Sequence, residues 1–272
     1  MLRTETPDGW ILIEHRDHAR LAGQMAEHWS DSVFPRPTPW SDVLVAVARH
    51  DDAWAERDAQ PPLTREGRPS AFSKELVGRY SAFEEIDLLE YLAVRGRATE
   101  ALAMENPYAA ILVSMHTVNL LTEQADLSSV SLAERDAHAR FIAGQRVRQH
   151  ELAETYCKRG GDPENVSPER LLRAFEFLQA CDNLSLLACV SFAEPSFLRH
   201  EHPMRDGSRV RIRCVPLGGG VYRLVPYPFA SDYLIFSLPC RSLSSVRWNT
   251  VQGFRGEYAR ATVHPLQVRI VR

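Results

Sequence analysis

The sequence predicts a mainly α fold with a small antiparallel β region at its C-terminal end. Three observations predict it. Apolar residues recur at helical spacing through most of residues 1–200. Segments beyond Pro203 alternate apolar and polar residues, or run β-branched and aromatic. Gly and Pro clusters separate those segments. The 272 residues therefore divide into a helical part over 1–200 and a β region over 201–272 that packs on it within the same domain.

Taken in order, Leu21, Ala22, Met25 and Trp29 share one face of a helix over 18–29. Pro35, Pro37 and Pro39 form a connector, with Pro39 placed to open the next helix. The apolar run VLVAVARHDDAW over 43–54 follows. Prolines and a glycine make 58–70 an ordered loop, long enough to serve as a lid or binding loop. Ser73–Arg97 reads as one long helix, and another starts near Pro107. Ser131 and Glu134 form a capping box for a helix that runs to Arg159 and ends at Gly160-Gly161. Ser167-Pro168 opens the last helix, to Phe192, with Leu171, Leu172, Phe175, Leu178, Leu186 and Leu187 at helical spacing. Strands are predicted over 208–215, 221–225, 233–238 and 262–271, with Gly218–Gly220 a hairpin turn.

Composition excludes several classes. A chain with 44% hydrophobic and 25% charged residues is neither disordered nor fibrous. The formal charge of −3 argues against binding to a nucleic-acid duplex. Lys74 and Lys158 are the only lysines among 32 basic residues, which suits anion recognition by arginine but places no site. Five scattered cysteines without a CxxC pair read as reduced thiols, so a cytoplasmic location is expected. No run reaches the roughly 18 apolar residues of a membrane span, and no membrane partner is expected.

Chemistry concentrates at four places inside apolar helical runs: His18, the His50-Asp51 doublet, His116 and Asp182. Their separations put each on its own helix, and packed helices can aim such residues at one centre. Singly, each has a plain structural reading: His116 as a satisfied core histidine, Asp182 as a cap or an arginine partner. An ionised Asp182 amid leucines and phenylalanine is nonetheless costly unless it is paired or binds a metal. Imidazole with carboxylate is the donor set of divalent transition ions such as Zn, Fe, Mn or Ni. His15 lies in the polar lead-in EHRD, so His18 is the better candidate.

The order His … His-Asp … Asp, each on its own helix, resembles the HD superfamily of metal-dependent enzymes over residues 15–192. The strings HARLAGQ, RHDDAW, GRPSAF, SMHTVNL and YPF are similar to an uncharacterised bacterial family within it. The resemblance implies an HD-type helical bundle that holds one or two divalent ions through His18, His50, Asp51 and Asp182. It also implies hydrolysis of a small phosphorylated or otherwise anionic metabolite by metal-activated water. Two departures stand out: Asp52-Ala53-Trp54 lacks the glycine that often follows the doublet, and His116 is an extra in-helix histidine. His116 and Asp52 are the candidates for moving protons. With a second ion, His116 would be the next ligand, then His138 or His150, although both of these have polar neighbours. Trp54 and Arg68, beside the doublet and on the 58–70 loop, are the substrate-binding candidates. A diiron oxygenase on the same frame and a non-catalytic metal-binding sensor or scaffold are the alternatives. A homodimer is compatible with the sequence.

Overall fold

Pro7 and Asp8 turn the chain between two short strands, β1 (Leu2–Thr6) and β2 (Gly9–Ile13), paired from Leu2↔Ile13 to Thr6↔Gly9. The Pro-Asp-Gly run explains the turn, since proline presets φ and Asp and Gly tolerate the tight reversal. The computed structural model describes residues 1–77, 87–125, 127, 128 and 130–272. Its other strands are β3 (Ser196–Phe197), β4 (His202–Pro203), β5 (Arg209–Val210), β6 (Arg213–Gly218), β7 (Val221–Val225), β8 (Tyr233–Leu243) and β9 (Val263–Val271). Seven of the nine described strands form one curled sheet in the order β1-β2-β8-β9-β7-β6-β3, and β4 pairs with β5 alone. The sheet is mixed: β7 runs parallel to β9, and the other neighbours are antiparallel. Strict alternation along β8 puts Leu234, Phe236, Leu238 and Cys240 on the inner face. Gly218, Gly219 and Gly220 make the β6–β7 turn with φ of 85°, 58° and 74°, values that only glycine adopts in succession without strain.

The helices are α1 (His15–Glu27), α2 (Trp40–Arg49), α3 (Ala55–Ala59), α4 (Leu88–Glu105), α5 (Pro107–Asn119), α6 (Leu132–Lys158), α7 (Pro168–Cys189) and α8 (Val251–Arg260). α5 is buried nearly all round, as its run AAILVSMHTV requires. The expected Ser131–Glu134 capping box starts α6. Asn106 caps α5, with Pro107 in its first turn. α1 and α2 cross closely: a Cβ added to Gly23 would lie 2.6 Å from Cβ of Ala48. One apolar cluster joins Leu21 and Met25 of α1, Val43 and Val47 of α2, Ile111 and Leu112 of α5 and Leu178 and Leu184 of α7 to the inner face of the sheet.

The architecture corrects the expected mainly α, HD-type bundle with a small C-terminal β region. About half of the chain is helical, and the sheet is large and built from both ends of the chain. The β1–β2 hairpin joins β8 through Trp10↔Leu243, so the N-terminus closes one side of a sheet that residues 201–272 alone do not contain. α8 is a further helix inside the expected β region. The long helix expected over Ser73–Arg97 is replaced at its start by a single turn over Lys74–Leu76, and at its end by α4, which begins at Leu88 with Asp87 as its N-cap. Residues 78–86 of that expectation lie outside the described residues.

Candidate metal centre

Four helical segments converge where α1, the end of α2, α5 and α7 meet. His18 sits in the first turns of α1, His50 caps the end of α2 and Asp51 follows it; His116 and Asp182 lie within α5 and α7. All five side chains are buried. His18 Nε2 is 3.1 Å from Asp51 Oδ2 and 3.7 Å from Asp182 Oδ1. His50 Nε2 is 3.2 Å from Asp182 Oδ1 and 3.8 Å from Asp51 Oδ2. His116 Nε2 faces Asp182 Oδ2 at 3.9 Å. The donor atoms of His18, His50 and Asp51, and likewise those of His50, His116 and Asp182, lie within 4.8 Å of one another, so these buried groups could hold a metal ion.

The far side of each ring fixes what the near side offers. Nδ1 of His50 donates to the Val47 carbonyl at 2.8 Å, which leaves the neutral ring's lone pair on Nε2. That Nε2 is buried and makes no hydrogen bond. Ser185 Oγ donates to the Asp182 carbonyl at 2.9 Å, so it accepts from His18 Nδ1 at 2.7 Å. Nε2 of a neutral His18 therefore also presents a lone pair, toward Asp51. Two nitrogen lone pairs aimed at two carboxylates need a cation between them. Backbone and hydroxyl partners that orient ligating histidines in this way are usual around metals. The residues present fit a divalent ion.

Without an ion, a proton on His50 fills part of that role. Burial opposes it, but the Asp51 charge and the Asp182 contact push the ring up to about 9. Burial holds His116 down to about 3 against the pull of Asp182, so it is neutral near pH 7. Burial would raise Asp182, yet His50 brings it down to about 2. Asp51 is held well below the carboxylate range despite its burial, chiefly by Arg95.

Arg95, on α4, was not among the sequence candidates. Its Nη1 donates to Asp51 Oδ1 at 2.7 Å, so one oxygen of Asp51 is bound by arginine and the other turns to the cluster. A signal was present in the sequence: Leu88, Tyr91, Leu92 and Arg95 follow i, i+3, i+4, i+7, which puts a charge on the apolar face of α4. Ser185 was missed too, one turn beyond Asp182 on α7.

The remaining candidates lie elsewhere. Asp52 turns outward and pairs with Arg49 Nε at 2.9 Å, which removes it from the proton-moving role. Trp54 is buried beneath Arg95, whose guanidinium carbon lies 5.4 Å from the indole centroid, so the indole packs under the residue that holds Asp51. The loop carrying Arg68 does not reach the cluster. Trp248 N donates to the Gly67 carbonyl at 2.9 Å, and Arg68 lines a surface groove with Arg3, Trp10 and Lys74. His138 donates to the Leu121 carbonyl and His150 to the Arg146 carbonyl, and neither is among the groups whose donor atoms converge. His15 belongs to a second buried network, with Asp58 at 3.0 Å and the Met1 amino group at 2.5 Å.

A family model described as "Protein of unknown function (DUF3891)" matches residues 1–245. No curated protein and no solved structure matches the chain. Among the described residues, no helix is long and apolar enough to cross a membrane.

Proposed function

The chain belongs to the family described as "Protein of unknown function (DUF3891)", and from its own side chains we propose that it is a metal-dependent hydrolase of a small phosphorylated metabolite. The observation that carries the reading is the buried, unbonded Nε2 of His50, 3.2 Å from Asp182 Oδ1. His18, His50, Asp51 and Asp182 would hold the ion, in a ligand order that resembles that of HD enzymes. When bound, a divalent ion supplies Lewis-acid polarisation of a phosphoryl oxygen and lowers the pKa of a bound water.

The chain's own residues do the rest. Arg95 keeps Asp51 ionised and leaves one carboxylate oxygen for the ion. Ser185 and the Val47 carbonyl hold the two imidazoles in the ligating tautomer. His116 suits a further nitrogen ligand better than a proton carrier, because a base held near 3 takes protons poorly at neutral pH. Arg95 also weighs against a two-iron oxygenase, since its guanidinium already holds one of the two oxygens of Asp51.

The test is metal content by plasma mass spectrometry on protein purified without a histidine tag or chelator, followed by a phosphomonoester screen without oxygen. About one Mn, Fe, Zn or Ni per chain, with phosphate released only by loaded protein, is expected. Two irons per chain with oxygen uptake would move the oxygenase to first place. No ion after reconstitution would overturn both enzyme readings and leave a scaffold.

A further inference from the structure

Beyond α7 the chain returns along β3, and its register with β6 places two arginines together. Ser196 pairs with Cys214 and Phe197 with Arg213, and Leu198 N donates to the Ile212 carbonyl at 2.8 Å. The paired residues end at Phe197; Arg199 follows Leu198 and Arg211 precedes Ile212, so the two arginines flank the last bond between the segments. Like charges opposite each other destabilise a strand pair unless something neutralises them. Among the described residues, neither guanidinium makes a hydrogen bond or an ion pair; Arg211 only stacks on Phe197, 5.3 Å from its centroid. Of the nearby arginines, Arg205 pairs with Asp31 and Arg209 with Glu176 at 3.2 Å, whereas the exposed Arg213 makes no ion pair among the described residues.

Hydrogen bonds tie the Arg199-His200 corner to the two helices that carry His116 and Asp182. His200, held in a left-handed conformation with φ of 64°, donates from Nε2 to Gln179 Oε1 at 2.5 Å. Gln179 Nε2 donates in turn to Asn119 Oδ1 at 2.8 Å. Gln179 is one turn before Asp182 on α7, and Asn119 one turn after His116 on α5, so this chain of hydrogen bonds ties the Arg199-His200 corner to the layer next to the ligands. Arg199 is half-buried; burial lowers its pKa, and the charge of Asp182 opposes that shift. A non-glycine residue in the left-handed region is strained, and such positions concentrate at functional sites. Half-burying an arginine with no partner adds a desolvation cost.

We propose that Arg199, backed by Arg211, receives the phosphate of the substrate at the Asp182 side of the cluster. Two guanidiniums match a dianion, and a single carboxylate would leave one of them unneutralised. The inference rests on the hydrolase reading for what happens to the phosphate, and not for its binding. Arg199 is a specificity residue, since the metal ligands alone would accept many anions.

The experiment is titration with inorganic phosphate by calorimetry, on wild type, Arg199→Gln, Arg199→Lys and Arg211→Gln, each analysed for metal per chain and melting temperature. Arg199→Gln should weaken phosphate binding about tenfold or more, the loss of a charged hydrogen-bond partner, with metal content unchanged. Arg199→Lys should restore part of the affinity, because it keeps the charge and loses the fork. If Arg199→Gln does not fold, Arg199→Lys and Arg211→Gln carry the test, each expected to bind phosphate more weakly than wild type. Phosphate affinity within about twofold of wild type in the folded variants would overturn the inference, as would loss of metal together with phosphate. A wild type that binds phosphate through Arg199 but holds no metal would sink the hydrolase and keep this site. One that holds metal but no phosphate would do the reverse.

Discussion

Nε2 of His50 stands 3.2 Å from Oδ1 of Asp182, while the ring's other nitrogen is committed to the Val47 carbonyl. A cation entering there must displace the proton that the two carboxylates hold on His50, whose ring is pushed up to about 9. Metal affinity should therefore rise with pH between about 6.5 and 9, by up to about tenfold per unit, as the released proton becomes easier to lose. Calorimetry with Mn at three pH values in buffers of different ionisation enthalpy measures both affinity and proton release. Asp182→Asn should lose the ion while keeping its far-ultraviolet dichroism. An affinity that does not change with pH would count against His50 as a ligand.

Arg95 Nη1 lies 2.7 Å from Asp51 Oδ1, and both groups are buried. Truncating one member of such a pair strands the other, at a cost of about 3–5 kcal/mol. Arg95→Met should lower the melting temperature of metal-free protein markedly. Added divalent ion should restore much of the loss, because it supplies the positive charge that Asp51 then lacks. Thermal melts of wild type and variant with and without Mn decide this. Equal shifts in both states would mean that Asp51 does not face the ion.

The buried cluster of His18, His50, Asp51, His116 and Asp182 was legible because a charge or an imidazole inside an apolar helical run is costly unless it is paired or bound to an ion. β7 was legible for a similar reason: VYRLV alternates cleanly, and the strand spans the predicted 221–225. β8 runs past the predicted end at 238 to Leu243, because Pro239 sits opposite Pro265 in a ladder that a proline normally stops. The β1–β2 hairpin carried a readable Pro-Asp-Gly signal, and recognising it would have enlarged the expected sheet. α8 carried little signal, since two glycines interrupt it and only Phe254 and Tyr258 are buried. Arg68 illustrates what sequence cannot give. Its loop follows the His50-Asp51 segment but docks on Trp248, a partner about 180 residues away that no local pattern announces.

His202 links stability to pH at a distance from the ligands. Burial holds its ring down to about 4, against the help of the Arg199 carbonyl, whereas the unfolded chain titrates near 6.5. Between those values the unfolded state binds a proton that the folded state refuses, so stability is present above about pH 6.5 and is lost as the pH falls toward 4. The melting temperature should drop across that window. His202→Gln, which cannot take up the proton, should flatten the drop. Parallel curves for wild type and variant would remove His202 from the account.

Gly23 and Ala48 set how closely α1 approaches α2, and with it the spacing of His18 from His50. A Cβ at Gly23 would meet the Ala48 Cβ at 2.6 Å and its Cα at 3.0 Å. Gly23→Ala thus sets helix propensity, which favours alanine by about 1 kcal/mol, against an overpacked crossing that costs about 1–3 kcal/mol. The crossing should win, because the obstacle includes backbone and not only a mobile side-chain tip. Lower stability and weaker metal binding are expected together, since α1 can yield only by carrying His18 away from the cluster. Ala48→Gly removes the opposing methyl, so the double variant should recover metal affinity although it gains no stability from the new glycine itself. The coupling energy of this double-mutant cycle should exceed about 0.5 kcal/mol, beyond what independent sites show. Additive effects would mean that the helices do not cross this closely.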